Sequence, residues 1–375
     1  MANIFDYLDW RGDMPLFVDP FNEVDSLILS MLAYTDFRDI VPGDGSEVPI
    51  RDAYRAFFSR YTREEVLARK SYTAKSPLLM EQMVSGARFR SMTLSHHVNE
   101  FSAEKEVQMS AVTFHLPDGL SYVAFRGTDG TLVGWKEDFT FSFQPQTRGQ
   151  SMAVHYLNWA GRQTPGRLIV GGHSKGGHLA VYASAGCDAD VQERIEAVYS
   201  YDGPGFRQEV IDSPGYHQVL PRVKSIIPDT SVIGLLLSSL SEHRVIKSTA
   251  SGLTQHDAFT WSVQRNRFVD ARLNPASEGI DKVLGSWLEQ TDDETKKNLT
   301  DQVFNMFSSA GGTTMSEVTS EQKWKSAGTI ATVLLNQLGQ GGLQALSGLL
   351  GKREEPAADS GRKPTLTLPN ALDKP

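Results

Sequence analysis

The sequence predicts an α/β protein built on a mostly parallel, doubly wound sheet, with a helical region before it and a flexible tail after it. Three observations predict this. Short apolar runs at 168–171, 195–201 and 222–227 end in turn residues and contain little polar alternation, as parallel strands buried on both faces do. Segments of helical period lie between them, which is the alternation of a β-α-β chain. A glycine-rich turn, Gly171 to Gly177, joins the first of these runs to a helical segment.

Residues 1–99 read as mainly helical, a cap region packed on the core. Asp25 is placed to N-cap a helix carrying Leu27, Ile28, Leu29, Met31 and Leu32. A loop is expected from Val41 to Pro49, followed by amphipathic stretches at Arg51–Lys70 and Ser76–Met92. The core is expected at 100–290. Its sheet begins with Val107–Leu116 and Leu120–Arg126, joined as a hairpin through Pro117-Asp118-Gly119. Next come a helix over Gly149–Ala160, the strand Leu168–Gly171 and a helix from Gly176 to about Ala185. Ile195–Tyr201 and Arg222–Ile227 complete the strand set. From 291 to 375 the chain is polar and rich in Gly, Ser and Thr, with four prolines after Lys352, so it is expected to be largely flexible. Residues 326–351 carry no charge, but Asn336, Gln337, Gln340, Gln344 and several glycines argue for an interaction segment rather than a membrane span.

Composition narrows the function classes. Hydrophobic residues make up 40% and charged residues 22%, ordinary for a globular chain. With 37 Lys and Arg against 45 Asp and Glu the formal net charge is −8, and no basic stripe stands out, so nucleic acid is not expected as a partner. Cys187 is the single cysteine, which excludes an internal disulfide or a cysteine-rich zinc site. The N-terminal stretch has no apolar signal core, so the cytoplasm is the expected compartment. Neither a phosphate-binding G-x-x-x-x-G-K-[ST] loop nor an H-E-x-x-H zinc signature occurs, and no cofactor or metal is expected.

The chemistry-bearing motif is Gly172-His173-Ser174-Lys175-Gly176-Gly177, a G-x-S-x-G set between a strand and a helix. Glycines are needed at its flanks because a serine on so tight a turn brings its neighbours against other backbone. The helix N-terminus behind the serine favours developing negative charge. Ser174 is therefore the candidate nucleophile of an α/β hydrolase elbow, whose acid and histidine follow it in the chain. His178, His217, His243 and His256 lie downstream. His256, in a loop after the last strand, is preferred as the base, with His243 second and His178 read as a packing residue. Asp229, at the end of the strand through Ile227, is preferred as the acid, and Asp202, at the end of the strand through Tyr201, competes with it.

Val123-Ala124-Phe125-Arg126-Gly127-Thr128-Asp129, with Trp135 and Asp138 after it, resembles the F-R-G-[ST] segment and later W-x-x-D of class 3 lipases. With the elbow, the start Phe5-Asp6-Tyr7-Leu8-Asp9-Trp10-Arg11-Gly12-Asp13 and Gln255-His256-Asp257, the chain is similar to a bacterial group related to those lipases, the Mbeg1-like family. The resemblance covers roughly residues 3–290. It implies an oxyanion hole formed by Thr128, through its N–H and hydroxyl, and by the N–H of Lys175. Departures from the lipase pattern are the polar Asp129–Gly134 stretch, where many class 3 lipases carry an apolar lid, and the charged Lys175. Both favour small or soluble esters over emulsified triglyceride.

The expectation is a serine ester hydrolase that passes through an acyl-enzyme on Ser174, with a small-molecule or lipid-like ester as substrate. A thioesterase, phospholipase or acyltransferase would use the same groups. A catalytically silent fold that binds a protein partner through its tail stands as a third reading. The run Val232–Leu237 is either an acyl-binding wall or plain core.

Overall fold

A computed structural model of the chain describes residues 1–69, 71–102, 104, 107–128, 136, 139–231, 233–275, 277 and 290–309. Helix α1 (Ile4–Arg11) and helix α2 (Glu23–Leu32) open it. Asn22, one turn before Asp25, caps α2: its side chain accepts the N–H groups of Val24 and Asp25, while the Asp25 carboxylate accepts the Asn22 N–H. This reciprocal box satisfies N–H groups that a helix start otherwise leaves open. Asp25 therefore does not take the capping position expected of it. Its carboxylate is buried and also accepts hydrogen bonds from Arg88 and from the Tyr7 hydroxyl.

Short strand β1 (Val48–Pro49) then leads into helices α3 (Ile50–Phe58), α4 (Arg63–Leu67) and α5 (Leu79–Met83). Strand β2 (Thr93–Ser102) follows, so the sheet begins inside the region expected to be helical. Beyond it come β3 (Val107–His115), β4 (Leu120–Phe125), α6 (Arg148–Gln163), β5 (Arg167–His173) and α7 (Lys175–Gly186). Short helix α8 (Ala189–Gln192) precedes β6 (Ile195–Tyr201), α9 (Gln208–Ile211) and α10 (Pro214–Val219) lead to β7 (Val223–Pro228), and β8 (His243–Ile246) completes the main sheet. Among the described residues its order is β1 to β8 in sequence, antiparallel as far as β4 and parallel from β4 to β8. The β3–β4 hairpin is the expected one. Leu116 N–H bonds Leu120 O at 2.8 Å, and Gly119 supplies the positive φ of 77° that the turn requires.

Strict alternation decides how this sheet is covered. Tyr122, Ala124, Ile169, Tyr199 and Tyr201 point into one apolar cluster with α1, α2 and α5. Val123, Phe125, Leu168, Val170 and Val198 point into a second with α6 and α7. A monotonic strand order with right-handed crossovers sends every crossover helix to one face. The N-terminal helices supply the second layer. The result is an α/β hydrolase fold: a mostly parallel sheet between helical layers, with the strand-to-helix elbow at the C-terminal edge of β5.

A helix, α11 (Asp293–Ser309), lies where the flexible tail was expected to begin. Ion pairs tie it down: Asp293 with Arg207 at 3.1 Å and Asp301 with Lys136 at 2.8 Å. Residues 310–375, where the remainder of that expectation and the uncharged segment fall, lie outside the described residues, as do 129–135. Among the described residues no helix is long and apolar enough to cross a membrane.

Candidate active site

Three consecutive parallel strands end at the same edge, and each delivers one candidate: β5 delivers Ser174, β6 Asp202 and β7 Asp229. Ser174 has φ 60° and ψ −132°, a conformation that side-chain-bearing residues rarely adopt. The ladder holds it there, since Ser174 N–H bonds Tyr201 O at 2.8 Å. The flanking glycines are a steric requirement. A Cβ on Gly172 would lie 2.3 Å from the Gly176 carbonyl carbon, and one on Gly176 would lie 2.1 Å from Phe125 O.

The end of β4 runs against the elbow. A Cβ on Gly127 would sit 2.4 Å from His173 O and 3.1 Å from the Ser174 Cβ, so only glycine lets these two backbones meet. Thr128, half-buried, is the next residue. Lys175 is the first residue of α7, where N–H groups have no partner within the helix. Its side chain is buried, and the ammonium donates to Gln108 Oε1 at 3.3 Å. Of the two resemblance-derived oxyanion candidates, Thr128 thus follows β4 and Lys175 opens α7 directly after Ser174.

His256 arrives on a 3-10 turn after β8, and it meets Asp202. Its Nδ1–H donates to Asp202 Oδ2 at 2.6 Å. Asp202 is 1% exposed and has φ 50°, so the elbow serine and this aspartate both hold a positive φ, after neighbouring strands. Its other carboxylate oxygen accepts the Ser231 hydroxyl and, at 3.1 Å, the Gly234 N–H. Burial works to raise the Asp202 pKa. The hydrogen bond and charge of His256, with the Ser231 hydroxyl, outweigh that, and the carboxyl is held below its ordinary value.

The structure pairs His256 with Asp202 and does not bring Asp229, the preferred acid, to the imidazole. Asp229 follows the end of β7, one strand further from Ser174, and is partly exposed. Burial raises its pKa against the lowering hydrogen bond from the Ser248 N–H, and the His256 imidazole bonds Asp202 instead. The physical reason is the path of the histidine loop, which brings His256 over the ends of β5 and β6. His173 fixes that path: its Nε2–H donates to the His256 carbonyl at 2.8 Å, and the two rings lie 4.6 Å apart. Because a carbonyl only accepts, Nε2 of His173 carries its proton and Nδ1 faces the Tyr34 hydroxyl at 3.1 Å. Burial, with the neighbouring His256, pushes the His173 pKa down to about 3, so this ring stays neutral.

The other histidines serve elsewhere. His178 packs as expected, stacked 4.0 Å from Phe141, with Nδ1–H donating to Gly205 O at 2.9 Å. His243, the second choice for the base, opens β8, three strands from the elbow strand, and bonds Ser225 Oγ at 2.8 Å. The stretch read as an acyl wall or core contributes Gly234 to the cradle of Asp202. Val232 lies outside the described residues. Ser174 and His256 are not hydrogen-bonded to each other here, a contact that often tightens only when substrate binds.

Sequence reading did not single out Tyr34, His173 or Ser231 as site residues. His173 lay inside the motif that was read, so its position was a usable signal. Tyr34 and Ser231 belong to no motif.

The Mbeg1-like family matches residues 83–305, more than half of the sequence, from the end of α5 into α11. The chain belongs to the Mbeg1-like family. That match takes in Thr128, Ser174, Asp202 and His256 and runs past the limit near 290 that the resemblance had suggested. Comparison with curated proteins finds no match. Among solved structures, this Mbeg1-like chain is similar to M37 lipase, at 14% identity and a TM-score of 0.34, covering 47% of this chain and 70% of that one. It is also similar to the Rhizomucor miehei lipase propeptide complex, at 14% identity and a TM-score of 0.30, covering 41% and 57%. A triacylglycerol lipase whose catalytic centre is formed by a serine protease triad is 13% identical, with a TM-score of 0.36 and coverage of 59% and 79%. These likenesses concern the fold alone.

Proposed function

We propose that this Mbeg1-like chain is a serine hydrolase that cleaves carboxylic esters through an acyl-enzyme on Ser174. The observation that carries the reading is the 2.6 Å hydrogen bond from His256 Nδ1 to the buried Asp202, at the strand end beside the Ser174 elbow. In this reading Asp202 fixes the imidazole tautomer that leaves Nε2 as the base. His256 takes the Ser174 proton as the oxygen attacks the acyl carbonyl, and then returns it to the departing alcohol. Thr128 and Lys175 offer N–H groups to the tetrahedral oxyanion, and removal of one such donor typically costs about 100-fold to 1,000-fold in rate. Water then attacks the acyl-enzyme with His256 again as base, releasing the acid and restoring Ser174.

The test is a panel of soluble esters and thioesters with the full chain, read against Ser174→Ala. Turnover of esters by the native chain and its loss in the variant supports the reading. Equal turnover by both removes Ser174 from the chemistry.

A further inference from the structure

A second feature lies on the same edge of the sheet, beyond the elbow. A cavity of about 640 Å³ opens between the segment after α2 and the outer strand β2, lined by Asp36, Arg38, Asp39, Arg60, His97 and Asn99. This volume is within the usual range for small-molecule sites. Two chain segments link it to Ser174. The Tyr34 hydroxyl donates to His173 O at 3.2 Å, and Asp36 follows two residues later. On the other side Arg126, two residues before Thr128, donates to Asn99 Oδ1 at 3.3 Å. In sheet order β2, which forms one wall of the cavity, is three strands from β5, or roughly 14 Å at about 4.8 Å per strand.

The lining has a definite chemistry. His97 is 8% exposed, yet its Nε2 has no hydrogen-bond partner, which is costly for a buried polar atom unless a ligand or water meets it. Burial pushes its pKa down to about 4, so the ring is neutral. Arg60 donates to the main-chain carbonyls of Arg38 and Asp39 at 2.9 and 3.1 Å, and Arg38 is bonded to Asp36. The two carboxylates and two guanidinium groups of the lining balance in charge, so it offers no net attraction to an ion. What it presents instead is a set of planar side chains that donate or accept in pairs, which suits neighbouring hydroxyls that each do both. Residues 40–42 add an apolar wall.

We propose that this cavity is a subsite for an uncharged polyhydroxylated group, the sugar or polyol part of the ester that Ser174 attacks. The proposal rests on the reading of Ser174 as nucleophile for its chemistry, though not for the binding itself.

The experiment compares sucrose monooctanoate with methyl octanoate, and uses p-nitrophenyl butyrate to report the bare machinery. The native chain should show a kcat/KM for the sucrose ester at least tenfold above that for the methyl ester. His97→Phe, which keeps an aromatic ring and removes both ring nitrogens, should lower the sucrose-ester value about fivefold, through KM, the loss expected for one neutral hydrogen bond. Arg60→Gln should act in the same direction, and both variants should leave p-nitrophenyl butyrate unchanged. Equal rates on the two octanoates, or variants that slow all three substrates alike, overturn the proposal. Should the native chain cleave none of them, the hydrolase reading fails, and saturation-transfer NMR with sucrose decides the cavity separately. A signal lost in His97→Phe supports the subsite, and no signal with the native chain overturns it.

Discussion

The ends of β6 and β7 look alike as sequence and differ in structure. Each places an aspartate after a short apolar strand on the edge that carries Ser174. Asp202 is buried, holds a positive φ and takes hydrogen bonds from His256, Ser231 and Gly234. Asp229 keeps ordinary backbone geometry and is partly exposed, bonded to main chain beside Lys247. Position on the edge is thus not enough to bring an aspartate to the histidine. What separates the two is the donor set that each strand end meets, and only one of them faces the histidine loop.

The largest expected effect tests the elbow on which both aspartates depend. Ser174→Ala and His256→Ala should each lower ester turnover on the order of a million-fold, the loss seen where such groups act as a unit. Thermal unfolding of both variants should stay close to that of the native chain, and residual turnover well above this level would detach the altered residue from the mechanism. The comparison itself is broken or kept by the two asparagine variants. Asp202→Asn should cost about 10,000-fold in kcat through the wrong imidazole tautomer, while Asp229→Asn should stay within about threefold.

Stability against pH sharpens the account of the buried rings. His97, His173 and His178 are pushed down by burial to about 4, 3 and 4. In the unfolded chain they titrate near 6.5, so below that pH the unfolded state takes up protons that the folded state refuses. Their contribution is therefore complete above pH 6.5 and declines as pH falls toward 4. Each ring adds up to about 1.4 kcal/mol per pH unit to the slope. Urea unfolding at pH 7, 6 and 5 measures it, and a flat stability between pH 6 and 5 contradicts the burial assigned to these rings. A smaller loss than that of Asp202→Asn belongs to the cradle: Ser231→Ala removes one hydroxyl from Asp202 and should lower kcat about tenfold, the worth of one hydrogen bond to a charged group. An unchanged kcat would mean that Gly234 and His256 alone hold the carboxylate.

The elbow was legible because steric need writes itself into the chain. Gly172 and Gly176 meet other backbone at distances that no Cβ tolerates, so the motif and the geometry are one fact. The β3–β4 hairpin was legible for a similar reason, through the positive φ of Gly119. Strand β2 was hidden. A bulge between Ser95 and Val98, with His96 at φ 55°, breaks the two-residue period by which a strand is read. Helix α11 was hidden by composition, since ion pairs from Asp293 and Asp301 anchor it where its sequence looks like a polar tail. Which aspartate meets His256 depends on a contact between residues 54 apart, decided by a histidine loop whose path is set by His173 and Tyr34. Chain order leaves that choice open.

Labelling with a fluorophosphonate probe, followed by peptide mapping, tests the central claim most directly, because it reads an activated serine without requiring the substrate. The account predicts modification at Ser174 in the native chain and in Asp229→Asn, with labelling slowed by orders of magnitude in Asp202→Asn. Rapid labelling of Asp202→Asn together with loss in Asp229→Asn would contradict it.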